Sequence, residues 1–358
     1  MFREYADLTA LPLATVAQPT PTKPLPTDPA ATEPTLDRAK DLVAADMAKV
    51  NALILDRLQS EVSMIPELAR HLIAAGGKRI RPTLTLLSAR LAGHEGDRHV
   101  GLATSVEFIH TATLLHDDVV DESDLRRGKS TANALWGNKA PVLVGDFLFS
   151  RAFQLMVSDG NLRVLEILSD ASAVIAEGEV AQLMTAGEVG TGEAAYFEVI
   201  KAKTAALFRA ACQIGAVVAD REAEAEAALA TYGEEVGIAF QLVDDALDYS
   251  AREAELGKTI GDDFREGKAS LPVLLAYAKG DAAERAFWER VIGEPGRQAP
   301  GDLAEAQRLL ARHDTLGATF GRARACGERA RQALHHFPAS PWRDAMEDVV
   351  DFSIARAY

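Results

Sequence analysis

The chain has 358 residues, 48% hydrophobic and 25% charged, enough to bury a substantial core as one large domain or two. A formal charge of -15 excludes the general basic field that holds nucleic acid, so any anionic ligand must be gripped by local groups. Two cysteines, Cys212 and Cys326, are too few and too far apart for a disulfide framework or a thiolate metal site, and read as core thiols in a reducing cytoplasm.

Residues 1 to about 35 are punctuated by prolines from Pro12 to Pro34 among Thr and Ala, and this composition predicts an extended or disordered N-terminal extension. Glu4, Asp7 and the break at Pro12 argue against a signal or transit peptide. No apolar run reads as long enough to span a bilayer.

From Leu36 a helical period begins, with Leu42, Val43, Met47, Val50, Leu53, Ile54 and Leu58 recurring at threes and fours. The stripe resumes at Leu68 and Leu72 and stops at Ala74-Ala75-Gly76-Gly77. Lys78, Arg79 and Arg81 then precede a helix with Pro82 in its first turn. Cations at a helix N-terminus suit a phosphate group, and equally a solvated charged turn.

The next segment is apolar from Val106 to Leu115 and ends in His116-Asp117-Asp118-Val119-Val120-Asp121. Asp117 and Asp121, four apart, share a helix face, and acids at a helix C-terminus oppose the dipole. A hard divalent cation with oxygen ligands resolves both conflicts. His110 lies on the same face, either as a ligand contact or as a satisfied structural residue. Glu107 and His110 also match the Glu-x-x-His spacing of di-iron bundles, and His116-Asp117 evokes a phosphohydrolase, but neither pattern has the second element it requires. Arg126, Arg127 and Lys129 follow. Acids that hold a metal beside bases that hold phosphate oxygens make a diphosphate clamp.

Helical runs continue from Pro141 to Met156 and from Leu162 to Met184, the second carrying Glu177, Glu179 and Gln182. Lys201, Lys203 and Thr204 sit in a small-residue helix between Ala194 and Val218. The acidic pattern recurs at Gln241-Leu242-Val243-Asp244-Asp245-Ala246-Leu247-Asp248. Two such copies far apart suggest two acidic walls around a shared metal cluster. Gly257 to Lys268 is a glycine-punctuated loop with Lys258, Arg265 and Lys268, which reads as a functional lid. Ser270-Leu271-Pro272 opens another apolar helix, and the remainder to Tyr358 is helical with breaks near 293–301 and 337–341.

In order and spacing these motifs resemble the trans-polyprenyl diphosphate synthase family over nearly all of the chain after about residue 36. The match rests on 76–82, on 116–121 with Arg126-Arg127, on Lys203-Thr204, on 241–245 with Asp248, and on 257–268. The resemblance implies a single all-α domain over 36–358 with the isoprenoid-synthase fold, a helical bundle around a deep central cavity, in a homodimer. It implies a Mg²⁺ cofactor held by Asp117, Asp118, Asp121, Asp244, Asp245 and Asp248. Lys78, Arg81, His110 and Arg127 would contact isopentenyl diphosphate. Arg126, Lys203, Thr204, Gln241, Lys258 and Lys268 would contact the allylic diphosphate. Asp117, Asp118, Asp121, Arg126, Lys203 and Asp244 would carry catalysis.

The implied reaction is ionisation of the allylic diphosphate, attack by the double bond of isopentenyl diphosphate and loss of a proton, which needs no side-chain nucleophile. Short-chain members of the family carry bulky aromatics near the position five before the first aspartate. Here that position is Ala112, beside Thr113, with Phe108 and Ile109 about one turn deeper as candidate lining. A long product, octaprenyl to decaprenyl, is therefore expected, supplying a quinone side chain. A geranylgeranyl-type synthase, a class I terpene cyclase and a non-catalytic regulatory subunit are the alternatives. Release of a long product implies peripheral membrane contact, for which the sequence offers no basic amphipathic helix.

Overall fold

Segments rich in Ala and Leu fold as helices nearly throughout, as their composition predicts. The computed structural model describes residues 35–74, 77–126, 129–250 and 261–355. The proline-rich extension up to residue 34, Gly76, Arg127 and Lys258 lie outside the described residues.

Helices α1 (Asp37–Leu42), α2 (Ala44–Arg57) and α3 (Met64–Ala74) lead to α4 (Ile80–Leu91) and α5 (Arg98–Val120). Two short strands, β1 (Leu125–Arg126) and β2 (Lys129–Ser130), pair antiparallel with Arg126 opposite Lys129. Then come α6 (Ala132–Trp136), α7 (Lys139–Asp159), α8 (Leu162–Thr185) and α9 (Gly192–Ile200). A π-helical turn, Lys201–Ala205, runs directly into α10 (Ala206–Val218), which precedes α11 (Ala223–Asp248). The C-terminal part holds α12 (Asp262–Arg265), α13 (Leu271–Lys279), α14 (Ala282–Gly293), α15 (Asp302–Arg312), α16 (Thr315–Leu334) and α17 (Pro341–Ala355).

Helix starts follow side-chain chemistry. Asn161 accepts hydrogen bonds from the N–H groups of Arg163 and Val164 at the start of α8, and Asp281 with Glu284 forms a capping box on α14.

Helix α5 is apolar almost all round, with Leu102, Ala103, Val106, Ile109, Ala112 and Leu115 fully enclosed, so it must lie inside the bundle. It packs against α4, α7 and α10, while α10 also touches α8 and α11, and α11 runs along α16. The largest core cluster joins these helices, and two smaller clusters surround Leu242 and Trp288. Cys212 and Cys326 are both buried and unpaired, and burial pushes each thiol up to about 12.

Helix α7 corrects one expectation from the sequence. Its 21 residues are long and apolar enough, by composition, to cross a membrane. Ala140, Val144, Leu148, Ala152 and Leu155 instead face the protein core, where α5 packs against it.

Candidate active site

The first acidic wall forms where α5 ends. Asp121 caps the helix, its N–H donating to the Asp117 carbonyl at 2.8 Å, and helical spacing places the two side chains one turn apart. Burial raises the Asp117 carboxyl to about 6. Glu179 and Asp121 push the same way, while Lys203 and Arg126 oppose them. Asp118 points elsewhere. It is 2% exposed, and its Oδ1 accepts from Arg126 Nε at 2.8 Å and Nη2 at 2.7 Å. His116 turns toward α7, with Nε2 3.1 Å from the Val142 carbonyl oxygen and its ring stacked on Phe149. Gly145 leaves room for this orientation, because a Cβ there would fall 2.2 Å from His116 Nε2 and displace the ring.

The second wall is a hydrogen-bonded chain. Thr204 Oγ1 donates to Gln241 Oε1 at 2.9 Å, Gln241 Nε2 donates to Asp245 Oδ1 at 2.7 Å, and the Tyr196 hydroxyl donates to Asp245 Oδ2. Burial raises the Asp245 carboxyl despite these donors, with Asp244 adding to the effect. Asp248 accepts the backbone N–H of Asp262 on Oδ1 at 3.0 Å and that of Asp263 on Oδ2 at 3.1 Å, so it caps α12. Lys268 joins the walls. Its Nζ lies 3.7 Å from Asp121, 4.0 Å from Asp263 and 2.5 Å from Glu266.

Three further basic residues, Lys78, Arg79 and Arg81, lie at the start of α4. Arg81 approaches His110 Nε2 at 3.1 Å and stacks its guanidinium over Phe208 at 4.3 Å, and burial lowers its pKa to about 10. Lys78 places its ammonium 4.9 Å from the centre of the Phe352 ring. Arg79, held in the left-handed region at φ 50°, pairs with Glu107, which gives that glutamate a role unrelated to the di-iron spacing. On α8, Glu179 Oε2 accepts from Lys203 Nζ at 2.7 Å.

The profile of the family described as Polyprenyl synthetase matches residues 62–310. This chain belongs to the polyprenyl synthetase family. Octaprenyl diphosphate synthase from Escherichia coli (strain K12) is 47% identical over 322 residues, covering 90% of this chain and 99% of that protein. A polyprenyl synthase from Caulobacter crescentus CB15, solved with calcium and isoprenyl diphosphate, superposes with a TM-score of 0.87 at 52% identity, covering 91% of this chain and 99% of that one. A decaprenyl diphosphate synthase from Rhodobacter capsulatus gives a TM-score of 0.87 at 54% identity, covering 90% and 100%. Membership makes the chain a trans-prenyltransferase of the all-α isoprenoid-synthase fold.

A divalent metal, which the family generally uses, fits the residues present. The donors at the mouth are carboxylate oxygens, the set that hard cations take. Burial, with Glu179 and Asp121 adding to it, raises the Asp117 carboxyl to about 6, and a dication bound there would favour its charged form. Among the described residues no group of three or more His, Cys, Asp or Glu side chains stands in metal-holding geometry; Arg126 pairs with Asp118, Lys203 with Glu179 and Lys268 with Asp121. Asp117, Asp121 and Asp244 would hold the ion. Asp118 and Asp248, expected with Asp245 to share in holding it, bond here to Arg126 and to two backbone N–H groups.

The candidate chain-length residues lie below the first wall. Phe108, Ile109 and Ala112 are at most 2% exposed, and Thr113 donates to the His110 carbonyl at 2.8 Å. Three polar groups at the walls were not among the sequence candidates. Glu179 and Tyr196 lie on segments without a motif of their own. Asp263 sits inside the quoted loop, where burial, Asp245 and Asp248 hold its carboxyl well above the usual range. An acid between the two lysines of that loop was the available signal.

Proposed function

We propose that this synthetase adds isopentenyl diphosphate units successively to an allylic diphosphate, giving a long-chain all-trans polyprenyl diphosphate of octaprenyl to decaprenyl length for a quinone side chain. The observation that carries the reading is the convergence of Asp121 and Asp263 on Lys268 above the enclosed Phe108, Ile109 and Ala112. In this reading the diphosphate sits at the charged end of α5, with the apolar residues of that helix behind it. Similarity to octaprenyl and decaprenyl diphosphate synthases supports the product length.

Each side chain has a task. Lys203, Thr204, Gln241 and Lys268 hold the allylic diphosphate, joined by Arg126 and Lys258, and charge-assisted hydrogen bonds from the lysines and Arg126 stabilise the diphosphate as it departs. Arg81 and His110, with Lys78 and Arg127, hold isopentenyl diphosphate so that its double bond faces the allylic carbon. When bound, Mg²⁺ supplies Lewis-acid neutralisation of charge on the leaving diphosphate. The apolar interior excludes water from the carbocation and receives the growing tail.

Exposed apolar side chains on α7 and α8 support a homodimer, among them Leu143 at 67%, Leu183 at 60% and Met184 at 77%. Two unpaired buried thiols support a cytoplasmic site, and a long apolar product supports peripheral membrane contact at release. The test is incubation of purified protein with Mg²⁺, labelled isopentenyl diphosphate and several allylic primers, followed by reversed-phase chromatography. Products from octaprenyl to decaprenyl are expected. Growth that stops at geranylgeranyl length, or no incorporation, overturns the reading.

A further inference from the structure

We propose that Glu179 is a positioning residue that aims Lys203 at the allylic diphosphate, an inference that rests on the function proposed above. Its Oε2 accepts from Lys203 Nζ at 2.7 Å, and both side chains are about three-quarters buried. The contact joins two elements, α8 and the π-helical turn. A π-helical turn is where an inserted residue re-aims side chains, and the positive charge of Lys203 lies near enough to Asp117 to favour that carboxylate's charged form.

The neighbouring residue makes the pairing feasible. A Cβ on Gly178 would lie 2.8 Å from Ala202 Cβ and 3.0 Å from Lys203 N, so α8 reaches the turn this closely only with glycine there. Glu179 is thereby delivered beneath the ammonium. One N–H of Lys203 is spent on the carboxylate and two remain for phosphate oxygens. A lysine has four side-chain torsions to order, and an anchor ordered before substrate arrives removes that cost from binding. The second carboxylate oxygen, Oε1, is buried without a hydrogen-bond partner among the described residues.

The test compares Glu179→Ala, Glu179→Gln, Lys203→Ala and the double alanine variant by steady-state kinetics. Glu179→Ala is expected to raise KM for the allylic diphosphate about 10-fold and leave KM for isopentenyl diphosphate within about 2-fold. Glu179→Gln keeps the shape and an acceptor oxygen, and restores most of the allylic affinity even if the alanine variant folds poorly. In the Lys203→Ala background, Glu179→Ala should add nothing. An unmoved allylic KM in both Glu179 variants, an equal rise in both KM values, or additive effects in the double variant overturns the proposal while leaving the function intact. Absence of isopentenyl incorporation by the unmodified protein removes both.

Discussion

Lys268 Nζ stands 3.7 Å from Asp121 Oδ2, so a residue that follows the second aspartate motif reaches the first. Burial works against its charge, but Asp263, Glu266 and Asp121 outweigh it and hold the ammonium protonated well above its ordinary pKa. Its positive charge sits between two acidic walls, where a diphosphate also needs a cation. Lys268→Ala should retain the helical circular dichroism spectrum and lose about 10- to 100-fold in kcat/KM with the allylic substrate, measured by labelled isopentenyl incorporation.

Asp117→Ala and Asp244→Ala should leave the fold intact and lower turnover about 1,000-fold or more, because both carboxylates are assigned to the divalent cation. Near-normal turnover in either variant would remove that residue from the metal site.

Ala112 is completely enclosed beside Phe108 and Ile109. Ala112→Phe should shorten the product and cost about 1–3 kcal/mol of stability through overpacking. Reversed-phase chromatography of the products, with a thermal melt of the same sample, reads both effects. An unchanged product distribution would refute the pocket assignment.

Asp118 is almost wholly buried, and Arg126 is its charged partner. Arg126→Met should therefore destabilise the protein by about 2–3 kcal/mol at neutral pH, allowing for solvent around the one-third-exposed guanidinium. Adding Asp118→Asn removes the stranded charge and should recover part of the loss, as urea denaturation of the single and double variants would reveal.

Away from the site, His99 Nε2 lies 2.8 Å from Asp46 Oδ2, which also accepts from Arg90. Burial lowers the pKa of His99 below 6.5, so unfolded chains take up its proton first and stability declines as pH drops below about 6.5. Burial would raise the Asp46 carboxyl, but its bonds to His99 and Arg90 prevail and hold it low. Its contribution is present above 3.8 and is lost as pH falls through its folded value. Thermal melts from pH 8 to pH 4 should show this decline. His99→Asn should flatten the part just below pH 6.5; an unaltered profile would assign the decline to other groups.

Much of the site was legible because its parts are local. Helical periodicity alone puts Asp117 and Asp121 one turn apart at the end of an apolar helix, and it likewise places Gln241 over Asp245, whose side chains do bond. The order of the motifs carried the family and the all-α fold for the same reason. Each motif is a short run whose geometry follows from 3.6 residues per turn and the chemistry of its own side chains.

What tertiary structure decided are the choices a side chain makes among partners distant in sequence. Arg126 takes Asp118 and Asp248 takes the start of α12, although neighbouring acids offered the same chemistry. His116 turns into α7 and Arg79 takes Glu107. The π-helical turn, and with it the union of Lys203 and Glu179, depends on how closely α8 approaches Ala202 past Gly178. No local pattern encodes such contacts, because they are set by close packing of whole helices, in which a few tenths of an ångström select one partner over another.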